Sequence, residues 1–451
     1  MKELITILGA GESGVGAALL AHDKGYEVLV SDYGTIKPQH KDTLTHEGIQ
    51  WEEGGHSLER ILTSSLVVKS PGIADTTPVM KAILDKNIKV VSEIEFAGRY
   101  ASTDVKMICI TGSNSKTTTT MLTHHILKKG GMDASLAGNI GFSLARQVAR
   151  DPHKVYVVEL SSFQLDNMYD FRADIAMVLN ITPDHLDRYD HKMENYTAAK
   201  MRVLQNMRPT DSFIYRDDDP VTVEYLKDKA IIPTCYKFGP RRGEGVTAWV
   251  EKGVMYVTTP RGSIDMPVDE LSLKGVHNLY NSMAAATAAL LMGVDGDTVK
   301  EALKDFAPVE HRLEPVRQLD GVKYINDSKA TNVDSTYYAL GAMTTPTVLI
   351  LGGKDKGNDY EHILQGVKDK VKAIVAMGVD NKKIIDYFKE IVPVKDTHSL
   401  EEAVDTCRSL ASEGDTVLLS PCCASFDLFK SYEDRGCQFK QYVNSLTPAK
   451  K

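Results

Sequence analysis

Short apolar runs alternate with amphipathic stretches along most of the chain, and the first such unit opens the sequence. The segment "ELITILGAGESGVGAALLAHDKGYEVLVSD" predicts a buried strand, a glycine turn, a helix and a second strand. Gly9, Gly11 and Gly14 match G-x-G-x-x-G, and Asp32 ends the second strand, as in nucleotide-binding α/β domains. The runs "SSLVVKSPGI" and "NIKVVSEIEF" continue the pattern. Residues 1–94 are therefore expected to form a small, parallel, Rossmann-like domain.

A second series of strands and helices follows. It begins at "VKMICITGSNS" and continues through "VYVVELSS" and "IAMVLNITPDHLDRY", and each strand ends in polar residues. Open α/β sheets bind ligands at this carboxyl edge. Shorter alternating segments, such as "GVTAWV" and "GVMYVTT", predict a small antiparallel sheet. We expect residues 95–307 to form a central domain that is similar to P-loop ATPases.

The last third of the chain returns to the strand and helix pattern. Apolar runs near "KYINDS", "TVLILGG", "KAIVAMG" and "DTVLLSP" are separated by stretches of helical length. They predict a C-terminal Rossmann-like α/β domain over residues 308–451. A length of 451 residues, at about 150 residues per domain, agrees with three α/β domains.

Composition narrows the class of protein. The chain is 42% hydrophobic and 25% charged, which is typical of a globular protein, and its formal net charge is -8. No long basic run is present, so we expect no nucleic-acid partner.

The apolar runs are too short to span a bilayer, and glycines interrupt the N-terminus before a signal segment could form. Six cysteines without a C-x-x-C pair indicate reduced thiols. We expect a cytoplasmic monomer without membrane insertion.

The segment "CITGSNSKTTTT" has the setting of a phosphate loop, because it joins a buried strand to a helix. The strict pattern G-x-x-x-x-G-K-[ST] requires glycine where this chain has Ile110 and Ser115. Lys116 and Thr117 nevertheless open the helix, where free backbone N–H groups and the helix dipole favour an anion. Four successive threonines, which are mediocre helix formers, indicate hydroxyl chemistry with Thr117 as a Mg²⁺ ligand. A capped helix after a strand is the alternative interpretation.

Three residues beyond the loop could complete such a site. Glu159 ends a strand expected beside the loop strand, so its carboxylate could reach a metal ion held by Thr117. His185 ends the next strand, although a single histidine there is more often a surface residue. Lys200 lies in the small apolar segment "AAK", where burial would lower its pKa. A lysine that extends to solvent is the alternative for Lys200.

Taken in order, the motifs resemble one family along nearly the whole chain, the Mur ligases of peptidoglycan synthesis. They are "GAGESGVG", "SPGI", "TGSNSKTT", "GNIG", "VVELSSFQLD", "LNITPDHLDRY", "AAK", "GVHNLYN", "EHRLE", "NDSKATN", "LGGKDKG" and "LLSPCCASFDLF". The resemblance implies an ATP-dependent amide ligase of cell wall biogenesis, and thereby of cell shape, division and the cell cycle. Within the family, the last two motifs favour a ligase that adds D-glutamate to UDP-N-acetylmuramoyl-L-alanine.

The resemblance also implies roles for individual residues. Lys116, Glu159, His185 and Lys200 would be catalytic, and two Mg²⁺ ions would be held by Thr117, Glu159, His185 and Lys200, with Lys200 carbamylated. The ATP site would contain Gly112, Ser113, Asn114, Ser115, Lys116, Thr117, Thr118, Asn278, Asn281, His311, Arg312 and Asp327. The UDP-substrate would contact Ser13, Asp32, Ser70, Asn139 and Gln164. D-Glutamate would contact Lys329, Thr331, Lys356, Ser425 and Tyr432.

One position departs from the family pattern. The family usually has glycine before the loop lysine, and this chain has Ser115. Glycine there permits a positive φ and a close approach to phosphate. Three other functions stay open at this point. They are a sister ligase such as another Mur enzyme or folylpolyglutamate synthase, an NAD-dependent oxidoreductase suggested by the glycine turn and Asp32, and a non-catalytic nucleotide-binding module.

Overall fold

The alternating strands and helices assemble into three β-sheets in the computed structural model, which describes residues 2–307, 310–355 and 357–448. Two sheets belong to a unit formed by residues 2–270 and 280–305. The third sheet belongs to a unit formed by residues 271–279 and the chain from 306 onward. The expected α/β class is therefore confirmed. Among the described residues, no helix is both long enough and apolar enough to cross a bilayer.

The first sheet has five parallel strands in the order β3-β2-β1-β4-β5. Its central strand β1 is buried along its whole length, because every residue in "LITIL" packs against helices or neighbouring strands. The elements are β1 Leu4–Leu8, α1 Glu12–Asp23, β2 Glu27–Asp32, α2 Pro38–His46, β3 Gln50–Glu53, α3 Leu58–Ile61, β4 Leu66–Lys69, α4 Pro78–Asp85, β5 Val90–Ser92 and α5 Glu93–Gly98.

The second sheet has nine strands in the order β14-β13-β12-β11-β10-β9-β6-β8-β7. Its strands and helices are β6 Lys106–Thr111, α6 Lys116–Lys129, β7 Ala134–Gly138, α7 Leu144–Arg150, β8 Val155–Glu159, α8 Ser162–Leu165, β9 Ile175–Val178, α9 Met193–Met201, β10 Ser212–Arg216, α10 Pro220–Leu226, β11 Thr234–Phe238, β12 Val246–Glu251, β13 Val254–Thr259, β14 Gly262–Pro267, α11 Val276–Met292 and α12 Gly296–Asp305. Strands β12, β13 and β14 are the antiparallel segments expected from the sequence. They do not form a sheet of their own, because β12 pairs with β11 and so extends the large sheet.

The third sheet has six strands in the order β15-β16-β20-β17-β18-β19, and only β15 runs antiparallel to its neighbour. Its elements are β15 Glu314–Leu319, β16 Val322–Asn326, α13 Val333–Ala342, β17 Thr347–Gly352, α14 Glu361–Lys370, β18 Val371–Met377, α15 Lys382–Phe388, β19 Val394–Thr397, α16 Leu400–Leu410, β20 Thr416–Cys422 and α17 Tyr432–Ser445.

The order of the central strands positions the candidate site. Strand β6 lies between β8 and β9, and it is parallel to both. Because parallel strands end at the same edge of a sheet, the loop after β6, the end of β8 and the segment after β9 lie side by side. Three separate stretches of sequence therefore meet at one edge.

Candidate active site

The loop between β6 and α6 has the backbone geometry of a phosphate loop, including a positive φ at the unusual serine. Gly112 has φ 151° and Ser115 has φ 68°. Ser115 therefore takes the left-handed conformation for which glycine is the favoured residue. This conformation strains the backbone at Ser115, because a left-handed non-glycine residue costs about 1–2 kcal/mol.

The loop is fixed to the segment that follows β9. The Asn114 N–H group donates to Asn180 Oδ1 at 2.8 Å, and Asn180 Nδ2 donates back to the Asn114 carbonyl at 3.3 Å. The Ser113 hydroxyl donates to the Thr182 carbonyl at 2.8 Å and accepts from the Thr182 N–H group at 2.9 Å. These reciprocal bonds fix the loop to the segment after β9. Sequence reasoning missed Asn180 and Thr182, although both lie in "LNITPD", which was singled out for His185.

Two lysines converge on one carbonyl oxygen of the loop. Lys116 Nζ donates to the Gly112 carbonyl at 2.8 Å and to the Ser113 carbonyl at 2.9 Å. Lys200, on α9, donates to the same Gly112 oxygen at 2.7 Å, and its side chain is buried. Burial lowers the pKa of Lys200 well below its ordinary value, and the nearby charge of Lys116 lowers it further. The expectation that Lys200 is buried with a lowered pKa is confirmed.

Glu159 lies at the end of β8, where it is buried. Its Oε1 accepts a hydrogen bond from Asn139 Nδ2 at 2.9 Å. Its Oε2 is buried, and no described residue donates a hydrogen bond to it. A buried carboxylate oxygen without a donor is unfavourable unless a cation or another donor reaches it. A metal ion is one group that could satisfy this oxygen.

The remaining residues expected around the metal ions differ in their exposure. Thr117 is buried in the first turn of α6, as is its neighbour Thr118, which is expected at the ATP site. His185 lies on an exposed turn with φ 54°, and its Nε2 is 3.6 Å from Asp184 Oδ2. Asp184 raises the pKa of Lys200 against the larger effect of burial, so it belongs to the same electrostatic environment. Sequence reasoning did not select Asp184, although it precedes His185 directly.

The glycine turn of the first sheet brings together two of the three residues expected to bind the UDP part. Asp32 Oδ2 accepts from the Ala10 N–H group at 2.7 Å, so this carboxylate holds the turn itself. A Cβ atom at Gly9 would lie 2.4 Å from Ser70 Oγ, which shows how closely Ser70 packs against the turn. Ser13 lies in the first turn of α1. Gln164, expected at the muramoyl part, is buried and uses its Oε1 to cap α8 through the Ser161 N–H group.

In the unit that contains the third sheet, Asp327 and His311 are both buried. Burial raises the pKa of Asp327 to about 7, while the positive charge of Arg312 and a hydrogen bond from Ser420 act in the opposite direction. His311 Nδ1 accepts from Asn326 Nδ2 at 2.9 Å. Burial also lowers the pKa of His311, which favours the neutral ring.

The residues expected around D-glutamate lie on two neighbouring segments of this unit. Lys329 and Thr331 follow β16, Ser425 follows β20, and Tyr432 begins α17 with its ring 5.3 Å from Lys329 Nζ. Lys356 was expected at this site and lies outside the described residues.

Sequence reasoning missed the buried Arg435, which joins these two segments. Its Nε donates to Ser328 Oγ at 2.9 Å, and both terminal nitrogens donate to the Cys423 carbonyl at 3.3 Å. Only its position on the inward face of α17 could have indicated it.

Two asparagines expected at the nucleotide lie on α11. Asn278 is buried, and its Nδ2 donates to the Lys274 carbonyl at 2.8 Å, close to the start of the helix. Asn281 is also buried. Asn278 and Asn281 belong to different units of the chain, as do the phosphate loop and Asp327.

These features define an α/β nucleotide-binding protein with a phosphate loop and an acidic residue beside it. The family models that match the chain are the Mur ligase MurD-like N-terminal domain over residues 3–92, the Mur ligase middle domain over 110–289 and the Mur ligase glutamate ligase domain over 311–423. The chain belongs to the Mur ligase family. Membership of this family excludes the NAD-dependent oxidoreductase that the glycine turn alone had suggested.

Relatives and solved structures agree with this assignment. The chain is 54% identical over 448 residues to the UDP-N-acetylmuramoylalanine–D-glutamate ligase of Bacteroides fragilis, covering 99% of this chain and 100% of that one. It is 54% identical over 449 residues to the enzyme of the same name from Porphyromonas gingivalis, covering 99% of each. The fold is similar to UDP-N-acetylmuramate–alanine ligase of Thermotoga maritima, with a TM-score of 0.62 at 18% identity over 99% of this chain and 100% of that chain.

Proposed function

We propose that this protein is the ligase that adds D-glutamate to UDP-N-acetylmuramoyl-L-alanine, with ATP as the energy source, in the synthesis of peptidoglycan precursors. The similarity over the whole chain to D-glutamate ligases carries the proposal. Two features of the site support ATP-dependent chemistry. One is the phosphate loop with its two lysines, and the other is Glu159 Oε2, which has no hydrogen-bond partner among the described residues.

The proposed reaction has two steps. A carboxylate oxygen of UDP-N-acetylmuramoyl-L-alanine attacks the γ-phosphorus of ATP, the bond from that phosphorus to the ADP oxygen breaks, and an acyl phosphate forms. The amine of D-glutamate then attacks the acyl carbon, the carbon–oxygen bond to phosphate breaks, and the amine loses a proton. The products are the amide, ADP and inorganic phosphate. No protein nucleophile is required.

The main obstacle in the first step is electrostatic, because a carboxylate must approach a triphosphate. Lys116, whose ammonium group lies at the mouth of the loop on the carbonyls of Gly112 and Ser113, would exchange these bonds for phosphate oxygens. The partnerless Oε2 of Glu159 and the hydroxyl of Thr117 suit a Mg²⁺ ion. Such an ion neutralises phosphate charge when it is bound.

Lys200 and His185 would serve a second Mg²⁺ ion. A lysine ammonium cannot bind a cation, but a lysine that carries a carbamate presents a carboxylate. Carbon dioxide adds only to the neutral amine, and burial of Lys200 beside Lys116 makes that form accessible by lowering its pKa. We therefore propose that Lys200 is carbamylated in the active enzyme.

We assign the substrates to three domains with the boundaries expected from the sequence. Residues 1–94 would bind the UDP-substrate through Ser13, Asp32 and Ser70, and Asn139 and Gln164 of the central domain would contact its muramoyl part. Residues 95–307 would bind ATP, with Asn278, Asn281, His311, Arg312 and Asp327 completing that site. Residues 308–451 would hold D-glutamate through Lys329, Thr331, Lys356, Ser425 and Tyr432. Because ATP and the nucleotide sugar are metabolites of the cytoplasm, we place the enzyme there, and we propose a monomer.

The decisive test is phosphate release with UDP-N-acetylmuramoyl-L-alanine, ATP, Mg²⁺ and a panel of amino acids. We expect turnover with D-glutamate and none with L-glutamate, L-lysine or diaminopimelate. Turnover with another member of the panel and not with D-glutamate would assign the chain to a sister ligase. Absence of turnover with every acceptor would favour a non-catalytic nucleotide-binding module.

A further inference from the structure

Helix α1 carries a negative charge at the place where the proposed function puts an anion. Gly11 is the N-terminal cap of α1 and has no side chain to satisfy the first N–H groups, and Glu12 is the first residue of the helix. Exposed N–H groups and the helix dipole favour a diphosphate at this end. The carboxylate of Glu12 would repel that diphosphate unless a cation neutralised it.

The positive charge of Arg146, from another part of the same unit, neutralises Glu12. Arg146 on α7 binds Glu12 with two bonds, from Nε to Oε1 at 2.7 Å and from Nη2 to Oε2 at 3.2 Å. Two parallel bonds of this kind fix the geometry of an arginine–carboxylate pair. Glu12 begins α1, directly after the glycine turn of the first sheet. Helix α7 packs beside the second sheet and begins three residues after the "GNIG" segment.

The surroundings of Arg146 hold it at this place. A Cβ atom at Gly16 would lie 1.9 Å from Ser143 Oγ, so α1 and the start of α7 are in direct contact. Ser143 caps α7 by accepting from the Arg146 N–H group at 3.0 Å. The buried carboxylate of Glu93 accepts from the Ser143 hydroxyl at 2.7 Å and from the Ala145 N–H group at 2.6 Å. The start of α7 is therefore fixed against α1, and Arg146 projects from a segment that is held in place.

We propose that Arg146 is a positioning residue for the UDP-substrate, acting through Glu12. By neutralising Glu12, Arg146 leaves the N–H groups at the start of α1 as a net attractive site for a diphosphate. The inference rests on the proposed function, because it assumes that the UDP-substrate binds at the glycine turn. If the proposal holds, the affinity for the UDP-substrate depends on Arg146, which lies on a helix beside the second sheet and need not touch the ligand.

The same helix provides a matched control. Arg150 lies one turn further along α7 and pairs with Asp23 at 2.8 Å and with Glu47 at 2.8 Å. Asp23 is the last residue of α1, about 16 Å from Glu12 along a helix that rises 1.5 Å per residue. Arg150→Met also removes one positive charge from α7 and breaks an ion pair with α1, as well as one with Glu47 after α2, but it leaves the charge at the start of α1 unchanged.

The experiment measures the Kd of UDP-N-acetylmuramoyl-L-alanine by calorimetry, and the KM of ATP as an internal reference. We expect Arg146→Met to raise the Kd about tenfold at low ionic strength, and less at high salt, because the repulsion from Glu12 is then screened. Arg150→Met should change it by less than about twofold in ~0.1 M salt, since Asp23 lies about 16 Å from Glu12 along α1 and the Debye length there is about 10 Å. Arg146→Lys should stay close to the wild type, since it keeps the charge. The KM of ATP should be unchanged in all of them.

The double variant Glu12→Gln/Arg146→Met decides the mechanism. If Arg146 acts by neutralising Glu12, removing both charges restores the affinity. A double variant as weak as Arg146→Met would show that Arg146 binds the ligand itself or supports the fold, and it would overturn the inference. An Arg150→Met variant as weak as Arg146→Met would overturn it too. A wild-type protein that binds no UDP-substrate would instead remove the proposed function.

Discussion

Lys200 Nζ donates a hydrogen bond to the carbonyl oxygen of Gly112 at 2.7 Å, and this oxygen also accepts from Lys116 Nζ at 2.8 Å. One carbonyl therefore holds two amines at the base of the phosphate loop. Burial lowers the pKa of Lys200, and the nearby charge of Lys116 lowers it further. The neutral amine of Lys200 is thereby more accessible than that of an ordinary lysine.

We expect Lys200→Ala to lower turnover by about a hundredfold or more, the size of effect seen when one group that stabilises transition-state charge is removed. Small carboxylates such as acetate should restore part of the activity, because they can stand in for the carbamate. Lys200→Arg should not recover it, since arginine keeps its charge. The measurement is phosphate release with increasing acetate.

Lys192→Ala is the matched control for this series, because Lys192 is exposed at the start of the same helix, α9. It should retain normal turnover and show no response to acetate. Near-normal activity of Lys200→Arg would contradict the carbamate, and so would mass spectrometry under carbon dioxide trapping that finds no modified Lys200.

Lys116→Ala should abolish turnover while binding of the UDP-substrate survives. The two sites should be separate, because Lys116 begins α6 beside the second sheet, whereas the glycine turn belongs to the first sheet. Calorimetry with UDP-N-acetylmuramoyl-L-alanine gives the affinity, and phosphate release gives the rate. Lys128→Ala, an exposed lysine in the last turn of the same helix, is the control for loss of a charge. An equal loss of UDP-substrate affinity in Lys116→Ala would show that the two sites are not separate.

Ser115→Gly should stabilise the protein and keep its activity. Relief of the left-handed strain at φ 68° is worth about 1–2 kcal/mol, and the greater freedom of glycine in the unfolded chain offsets part of it, leaving a gain of about 1 kcal/mol. Scanning calorimetry should place the melting temperature of Ser115→Gly above that of the wild type. Ser115→Ala keeps the strain and should not share this gain. A Ser115→Gly protein that melts below Ser115→Ala would refute the assignment of strain.

Glu93 should make stability depend on pH. Burial raises its pKa to about 7, against about 4.3 in an unfolded chain. Between these values the folded protein holds a proton that the unfolded chain releases. The free energy of unfolding therefore falls as pH rises through this window, by roughly 4 kcal/mol in full.

Glu93→Gln has no proton to lose at this position and should lack that part of the pH dependence. Urea unfolding of both proteins from pH 4 to pH 8 measures it, with the exposed Glu194→Gln as the control. We expect the wild type to lose stability relative to Glu93→Gln as pH rises, while Glu194→Gln follows the wild type. Parallel curves for the wild type and Glu93→Gln would contradict the raised pKa.

The sequence by itself determined the elements of the fold and the chemistry of the loop. Apolar periodicity reports which residues are buried, and this is a local property, so the central strands of each sheet and the helix after "TGSNS" could be located without a structure. Six strands were missed, and they are β3, β7, β10, β11, β15 and β19. The order of the motifs was enough to identify the family. The sequence left the backbone conformation at Ser115 open, and the structure gives this residue a φ of 68°.

Only the tertiary structure decided which distant residues meet. Strand order places Asn180 against Asn114 and makes β12 extend the large sheet, and pairing between strands far apart in sequence leaves no local signal. Arg435 and Arg146 look like ordinary helical arginines in the sequence. One is buried among carbonyl oxygens and the other neutralises Glu12, because helix packing brings each to partners more than a hundred residues away.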